Sequence, residues 1–273
     1  MRTALYVPGD RPDLLAKALG GTADELIVDL EDAVPVAAKE RTRRDVAAWL
    51  RTLPARRPFV SVRINPGEPG HADVREIAGP GLDGLCVAKT ESAAELDALD
   101  AVLTAAGADG LPVVPLLESA AAVLAAPAIA RAPRVVRLQL GEADLTADLG
   151  VTPGPDESEL LWARSQVVAA GAAAGLEPPI GPVSTEFRDL EAFRATTLRL
   201  KRLGFHGRAC IHPAQLAVVA EVFTPTPAEL DRARALLARY ETGLAAGSGV
   251  FVGDDGRMVD EAVIRAARRL LAH

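Results

Sequence analysis

A single (β/α)8 barrel is the fold class the sequence predicts, and three observations predict it. Strand-like runs alternate with helix-like ones, and eight such strands fall before residue 223. Most of the strands are apolar and β-branched, as strands covered on both faces are. The length, 273 residues, suits one α/β barrel better than two ordinary domains. A doubly wound open sheet is the runner-up, and the lack of a GxGxxG turn after the first strand counts against it.

In order, the predicted strands are Ala4–Pro8, Glu25–Glu31, Pro58–Ile64, Gly84–Lys89, Val113–Glu118, Val135–Gly141, Pro178–Val183 and Phe205–His212. Between them lie amphipathic Ala/Leu/Arg-rich segments, among them Val36–Arg51, Ser92–Ala106, Asp156–Ala174 and Thr185–Arg202. The pattern changes after Phe223. Thr226 is placed as an N-cap, with Pro227 at the first helical position and Glu229 completing a capping box. That helix is expected to run to about Leu244. A Gly-rich joint, Ala245–Gly249, follows. Val250–Val259 then reads as a hairpin around an Asp-Gly turn. A last helix is expected from Asp260 to about Ala272. The expected division is a barrel over 1–223 and an extension over 224–273 that acts as a lid and in oligomerisation.

Composition excludes several classes. The net charge of −7 gives no reason to expect nucleic acid. No apolar run approaches the roughly 20 residues needed to span a bilayer. Met1-Arg2 leads directly into a strand, with no leader-like segment. Cys86 and Cys210 lie in apolar strands, without metal or redox spacing, and read as buried thiols of a reducing compartment. The expected setting is the cytoplasm, with no membrane and no nucleic acid as partner.

Strand period assigns the side chains. In Phe59–Ile64, Val60, Val62 and Ile64 share the face turned to the helices. Phe59, Ser61 and Arg63 then point into the barrel, with Arg63 at its C-terminal mouth. By the same rule Leu26, Val28 and Leu30 face outward, and Asp29 and Glu31 inward. Two further strands each stop at an acid, Leu111–Glu118 and Val135–Asp144 with its short overrun. The mouth should therefore collect Glu31, Asp32, Arg63, Lys89, Glu118 and Asp144, at the end where barrel enzymes do their chemistry. The alternative is a set of internal salt bridges. Glu118 and Asp144 are hard oxygen donors with no His or Cys nearby in sequence, a pair that suits Mg²⁺. Arg63 offers a fork for a carboxylate or an enolate oxygen. Arg11 and Lys17 lie near the start of the first helix, where phosphate is favoured. His212 is better explained by a structural hydrogen bond, and His71, His206 and His273 have no motif. Trp49 and Trp162 are read as core or interface residues.

These motifs form an ordered set: Val7-Pro-Gly-Asp-Arg-Pro12, Asp29-Leu-Glu-Asp-Ala-Val34, Ser61-Val-Arg-Ile-Asn65, Ala88-Lys-Thr-Glu-Ser92, Leu117-Glu-Ser119, Gly141-Glu-Ala-Asp-Leu145, Ile211-His-Pro213 and Gly256-Arg-Met-Val-Asp260. The chain thereby resembles the citrate lyase β-subunit-like proteins and malyl-CoA lyases of the HpcH/HpaI aldolase superfamily. The resemblance implies a TIM barrel with Mg²⁺ held by Glu118 and Asp144. It implies that Arg63 binds acyl or oxoacid oxygens, and that Arg11 and Lys17 meet coenzyme A phosphates. It implies a C-terminal segment covering a neighbouring subunit's site, hence a homo-oligomer, a trimer or a multiple. Asp260 would exchange the proton on the acyl carbon; by sequence alone it reads first as the N-cap of the last helix, and the two roles are compatible. Two departures bear on the substrate pocket. Ala120–Ala122 follows Ser119 where glycine is common, and Ala143 stands where many members carry a second acid.

The expected activity is therefore Mg²⁺-dependent carbon–carbon cleavage, or formation, of a β-hydroxyacyl-CoA, giving an acyl-CoA and a small oxoacid through an enolate. Two rivals stand beside it. One is a citrate lyase β subunit acting on a carrier-bound citryl thioester with partner subunits. The other is a barrel that binds CoA esters without turnover.

Overall fold

The computed structural model describes residues 1–245, 247–253 and 256–271. Two compact units emerge, Met1–Phe223 and Thr224–His273.

The first unit alternates strand and helix from its start. Its elements are β1 (Thr3–Pro8), α1 (Pro12–Leu19), β2 (Glu25–Asp29), α2 (Lys39–Leu50), β3 (Phe59–Ile64), α3 (Gly67–Ile77), β4 (Gly84–Val87), α4 (Ala93–Ala105), β5 (Val113–Leu117), α5 (Ala120–Ile129), β6 (Gln139–Leu140), α6 (Glu142–Leu149), α7 (Leu161–Ala173), α8 (Leu190–Leu203), β7 (Arg208–Cys210) and α9 (Pro213–Phe223). The seven strands form one curled parallel sheet in the order β6-β5-β4-β3-β2-β1-β7. Neighbours in space are neighbours in sequence from β1 to β6. That is a progressive winding, without the reversal of strand order that defines a doubly wound sheet.

The two faces separate as the alternation predicts. Val60, Val62 and Ile64 pack into the large cluster between sheet and helices, with Leu26, Val28 and Leu30. A second, small cluster occupies the concave side: Ala4, Ile27, Cys86, Leu116, Ile180 and Ala209, with Tyr6 and Val183 against it. Both cysteines are buried free thiols.

Three strands differ from expectation: Phe205–His212 contracts to Arg208–Cys210, and prolines bear on the other two. Pro178–Val183 makes only isolated bridges, Gln139 with Ile180 and Gly181 with Arg208. Pro178, Pro179 and Pro182 have no N–H to donate, so a continuous ladder cannot form there. The predicted Val135–Gly141 contracts to Gln139–Leu140, with one bridge from Val135 to Val113. Its partner strand carries Pro115, another missing donor. The helix expected over Thr185–Arg202 begins only at Leu190, where the Asp189 carboxylate accepts from Ala192 N at 3.0 Å and caps it.

The second unit holds α10 (Pro227–Ala245), β8 (Phe251–Val252), β9 (Met258–Val259) and α11 (Glu261–Leu271). The capping box forms: Glu229 N donates to Thr226 Oγ1 at 3.2 Å, and Thr226 N to Glu229 Oε2 at 2.7 Å. β8 and β9 pair antiparallel. Asp254 and Asp255 of the expected turn, Ala246 of the Gly-rich joint, Ala272 at the expected helix end and His273 lie outside the described residues. Tyr240, Val259 and Ile264 make this unit's own small core. Among the described residues no helix is long and apolar enough to cross a membrane.

Candidate active site

The site lies where β1 to β6 end. A cavity of about 300 Å³ opens there, lined by Tyr6, Asp29, Asp32, Arg63, Glu118, Gln139, Glu142 and Asp144, with Pro8, Leu116, Val183 and Ile211 as apolar wall. Every acid expected at the mouth is brought near it.

Glu118 follows the last residue of β5 and is 7 % exposed. Its Oε2 accepts from Lys89 N at 2.9 Å. Burial pushes its carboxyl up to about 7. The Lys89 N–H and the Arg63 charge oppose that rise, and Asp144 adds to it. Asp144 stands in the first turn of α6, its side chain 42 % exposed, with Lys89 Nζ at 3.4 Å. Gly141, between β6 and α6, lets these acids meet. A Cβ at that position would lie 2.6 Å from Glu118 Cγ and closer still to its carboxylate.

Arg63 is more tightly held than the sequence suggests. Its Nε and one terminal nitrogen donate to the two oxygens of Asp29 at 2.7 and 2.6 Å, and its other terminal nitrogen lies 3.2 Å from Glu31. Its guanidinium also sits over the Tyr6 ring, 5.1 Å from the centroid. A guanidinium has five N–H donors, so this arrangement orients the group and still leaves donors for a ligand. Asp29 spends the rest of its acceptor capacity on the following loop, taking Glu31 N at 2.9 Å and Ala33 N at 3.1 Å.

Lys89 gathers the remaining acids. Its ammonium is paired with Glu31 and lies 3.1 Å from Asp32. Burial lowers its pKa less than these acids raise it, and the net direction is up. Burial raises the Glu31 carboxyl against the pull of Lys89. Asp32 moves down, because bonds from Glu31 and Lys89 outweigh its own burial. The Lys89 backbone takes a left-handed φ of 50°, uncommon for a residue with a Cβ. The internal salt bridges weighed as the alternative therefore do form. They do not exhaust the charge: among the described residues the ion pairs of Asp29, Glu31, Asp32 and Asp144 come from Arg63 and Lys89 alone, and Glu118 makes none.

That surplus decides whether Mg²⁺ fits. Two hard carboxylates meet at a cavity, one of them raised by its burial and, to a lesser degree, by its neighbour. A divalent cation relieves both conditions. Among the described residues no group of three or more His, Cys, Asp or Glu is arranged to hold a metal. Mg²⁺ asks for less, since it takes one or two carboxylates and fills the rest with water and substrate oxygens.

Arg11, Lys17 and His212 are not among the residues that line this cavity. Arg11 precedes α1, exposed, and is bonded to Asp13 at 3.0 Å. Lys17 lies in the last turn of that eight-residue helix rather than near its start. Asp260 accepts from Ala262 N at 2.9 Å and Val263 N at 3.1 Å, so it does cap α11. It belongs to the second unit. His212 accepts from Ala214 N and stacks on Phe187. Trp49 packs against the large core, and Trp162 is exposed.

Sequence reasoning missed Tyr6 and Gln139, which form the cavity floor. Gln139 donates to the Tyr6 hydroxyl at 3.1 Å. The alternation Ala4, Tyr6, Pro8 on β1 carried that signal. It also missed Lys39, whose ammonium donates to Leu30 O at 3.1 Å and Glu31 O at 2.7 Å and so fixes the loop bearing Glu31 and Asp32.

Comparison with known proteins gives a consistent picture. Residues 2–213 match the model of the family described as HpcH/HpaI aldolase/citrate lyase. A citrate lyase subunit beta-like protein of Deinococcus radiodurans is 37% identical, across 100% of this chain and 97% of its own length. A (3S)-malyl-CoA thioesterase of Cereibacter sphaeroides is 36% identical, across 99% and 93%. An L-malyl-CoA/beta-methylmalyl-CoA lyase of Rhodobacter capsulatus is 34% identical, across 97% and 92%. Among solved structures, the protein CitE of Mycobacterium tuberculosis in complex with magnesium, acetoacetate and coenzyme A is similar with a TM-score of 0.81. It is 30% identical, covering 99% of this chain and 97% of that one.

Proposed function

Because the chain belongs to the HpcH/HpaI aldolase/citrate lyase family, we propose that it is a Mg²⁺-dependent carbon–carbon lyase of β-hydroxyacyl-CoA thioesters. The observation that carries this is the meeting of Glu118 and Asp144 at one cavity that holds more carboxylate than cation.

Glu118 and Asp144 would hold the ion. Once bound, Mg²⁺ supplies positive charge for substrate oxygens on which negative charge develops. The chain's own residues do the rest. Arg63, oriented by Asp29 and Tyr6, turns its spare donors to the acyl or oxoacid oxygens. In the cleavage direction the hydroxyl proton leaves to a base, the carbon–carbon bond breaks, and an oxoacid carbonyl forms. The electron pair stays on the acyl carbon as an enolate, and Asp260 returns a proton to it. Arg11 and Lys17 meet the phosphates of coenzyme A.

The same proposal closes the barrel with eight strands. Support comes from the bridges of Ile180 to Gln139 and of Gly181 to Arg208, which link the first and last strands of the sheet. Residues 224–273 serve as lid and oligomer contact, so that Asp260 reaches a neighbouring subunit's site in a homo-oligomer of the cytoplasm.

The test is an assay of the purified chain with malyl-, methylmalyl- and citramalyl-CoA and Mg²⁺, scoring three products. Oxoacid together with acyl-CoA supports the lyase. Free coenzyme A thiol with intact hydroxyacid indicates a thioesterase, the activity named for one relative. Turnover only after adding carrier and partner subunits indicates a citrate lyase β subunit, and binding without any product overturns the catalytic reading.

A further inference from the structure

α4 and α5 begin with a serine whose hydroxyl accepts from the helix: Ser92 from Glu95 N and Ser119 from Ala122 N. α6 has no such cap. Its N-cap is Gly141, which makes no side-chain bond. Anything larger fits only if Glu118 moves, because a Cβ there would lie under 3 Å from that side chain. The residue that admits one candidate metal ligand thus forbids the ordinary means of fixing the helix that carries the other.

Something else fixes that turn. Glu142, the first residue of α6, is clasped by Arg164 of α7 through two parallel bonds, Nε to Oε1 at 2.6 Å and a terminal nitrogen to Oε2 at 2.7 Å. The remaining terminal nitrogen of Arg164 donates to Glu157 at 2.9 Å. The Arg164 side chain is only 3 % exposed and that of Glu142 13 %. A buried bidentate pair of this kind fixes position as well as charge. Burial depresses the Arg164 pKa, its two glutamates raise it more, and the net direction is up. Glu142 stands two residues before Asp144, in the same turn, and is itself among the residues lining the cavity.

We propose that Arg164 is a positioning residue for the metal site. Its fork on Glu142 replaces the cap that Gly141 cannot provide, and it holds the first turn of α6 so that Asp144 stays with Glu118. This rests on the reading of Glu118 and Asp144 as the Mg²⁺ ligands.

The experiment measures Mg²⁺ affinity directly, by calorimetry and by the Mg²⁺-induced rise in Tm, for the full chain as wild type, Arg164→Lys, Glu142→Gln and the double variant. Lysine keeps the charge and loses the fork; glutamine keeps the shape and one acceptor. Either single change is expected to weaken Mg²⁺ binding about 10-fold or more, in the range seen when the supports of metal ligands are removed. The double variant should cost little beyond the singles, since both break one contact. At saturating Mg²⁺ the KM of Arg164→Lys for the thioester should stay at its wild-type value, which a general loosening of the pocket would not preserve. Folded single variants with wild-type Mg²⁺ affinity would overturn the proposal while leaving the ligand reading intact. If wild type itself takes up no Mg²⁺, or Glu118→Ala takes it up equally well, the ligand reading falls first and this inference falls with it. Should Arg164→Lys fail to fold, Glu142→Gln decides alone.

Discussion

The two ends of the sheet treat buried charge in opposite ways. At the amino ends of the strands the buried ionic groups are answered locally, although Arg137 keeps one buried nitrogen, Nε, without a partner. Glu25 takes the Ser61 hydroxyl at 2.6 Å, Arg137 lies 3.1 Å from Glu177, and Arg208 is surrounded by Pro182 O, Phe193 O, Thr196 and Thr197. Burial lowers the Arg208 guanidinium to about 10 all the same. At the carboxyl ends five carboxylates share two cations. But for Arg137 Nε, one end is met by the chain alone, and the other carries more carboxylate than paired cation. On the proposed reading, stability is built at the first and ligand chemistry at the second, the division expected of barrel-like sheets.

The contrast can be broken most severely at Glu118. Glu118→Ala should abolish Mg²⁺ binding and lower kcat/KM by about 10³-fold or more, while the variant remains folded. Calorimetry and steady-state kinetics on one preparation check both halves. Next in size is Gly141→Ala, whose methyl must displace the Glu118 carboxylate. A loss of Mg²⁺ affinity of roughly 100-fold is expected, with a crystal structure to show Glu118 moved. A change at the other end should do the reverse. Ser61→Ala leaves the buried Glu25 without its hydroxyl donor and should cost about 1–3 kcal/mol in denaturant unfolding. Its Mg²⁺ affinity should match wild type, and a fall there would dissolve the division between the ends.

The last test uses pH. Burial raises Glu118 to about 7 in the folded chain, so the native state binds this proton more tightly than the unfolded one. Its contribution to stability must then decline as pH rises from the ordinary carboxylate range towards 7. Without Mg²⁺, wild type should lose stability relative to Glu118→Gln between about pH 5 and pH 8, by roughly 3 kcal/mol at most. Adding Mg²⁺, which binds the ionised form, should narrow the gap. Parallel thermal scans of the two proteins give the answer, and curves that stay parallel would contradict the raised carboxyl.

The alternation of Phe59–Ile64 was legible because a period of two admits only one choice of buried face, and Arg63 follows from it. Glu118 and Asp144 were legible because each ends an apolar run. Arg63's engagement by Asp29 was not, since period two places both side chains inward without saying that they bond. The ladder of Pro178–Val183 was overestimated from its apolar character, although its three prolines had removed half the donors. Arg164 was hidden altogether. It is the one charge in an otherwise uncharged helix, and its partner, Glu142, lies 22 residues earlier.

Lys89 is twisted into a conformation that glycine or asparagine would adopt at less cost, a difference on the order of 1 kcal/mol. Its amide steadies Glu118, and its ammonium restrains Glu31, Asp32 and Asp144. Relaxing the main chain at this position therefore means unleashing the acids. A directed-evolution campaign for heat resistance would find no single replacement here that improves both, and the tension would have to be resolved by pairs of changes.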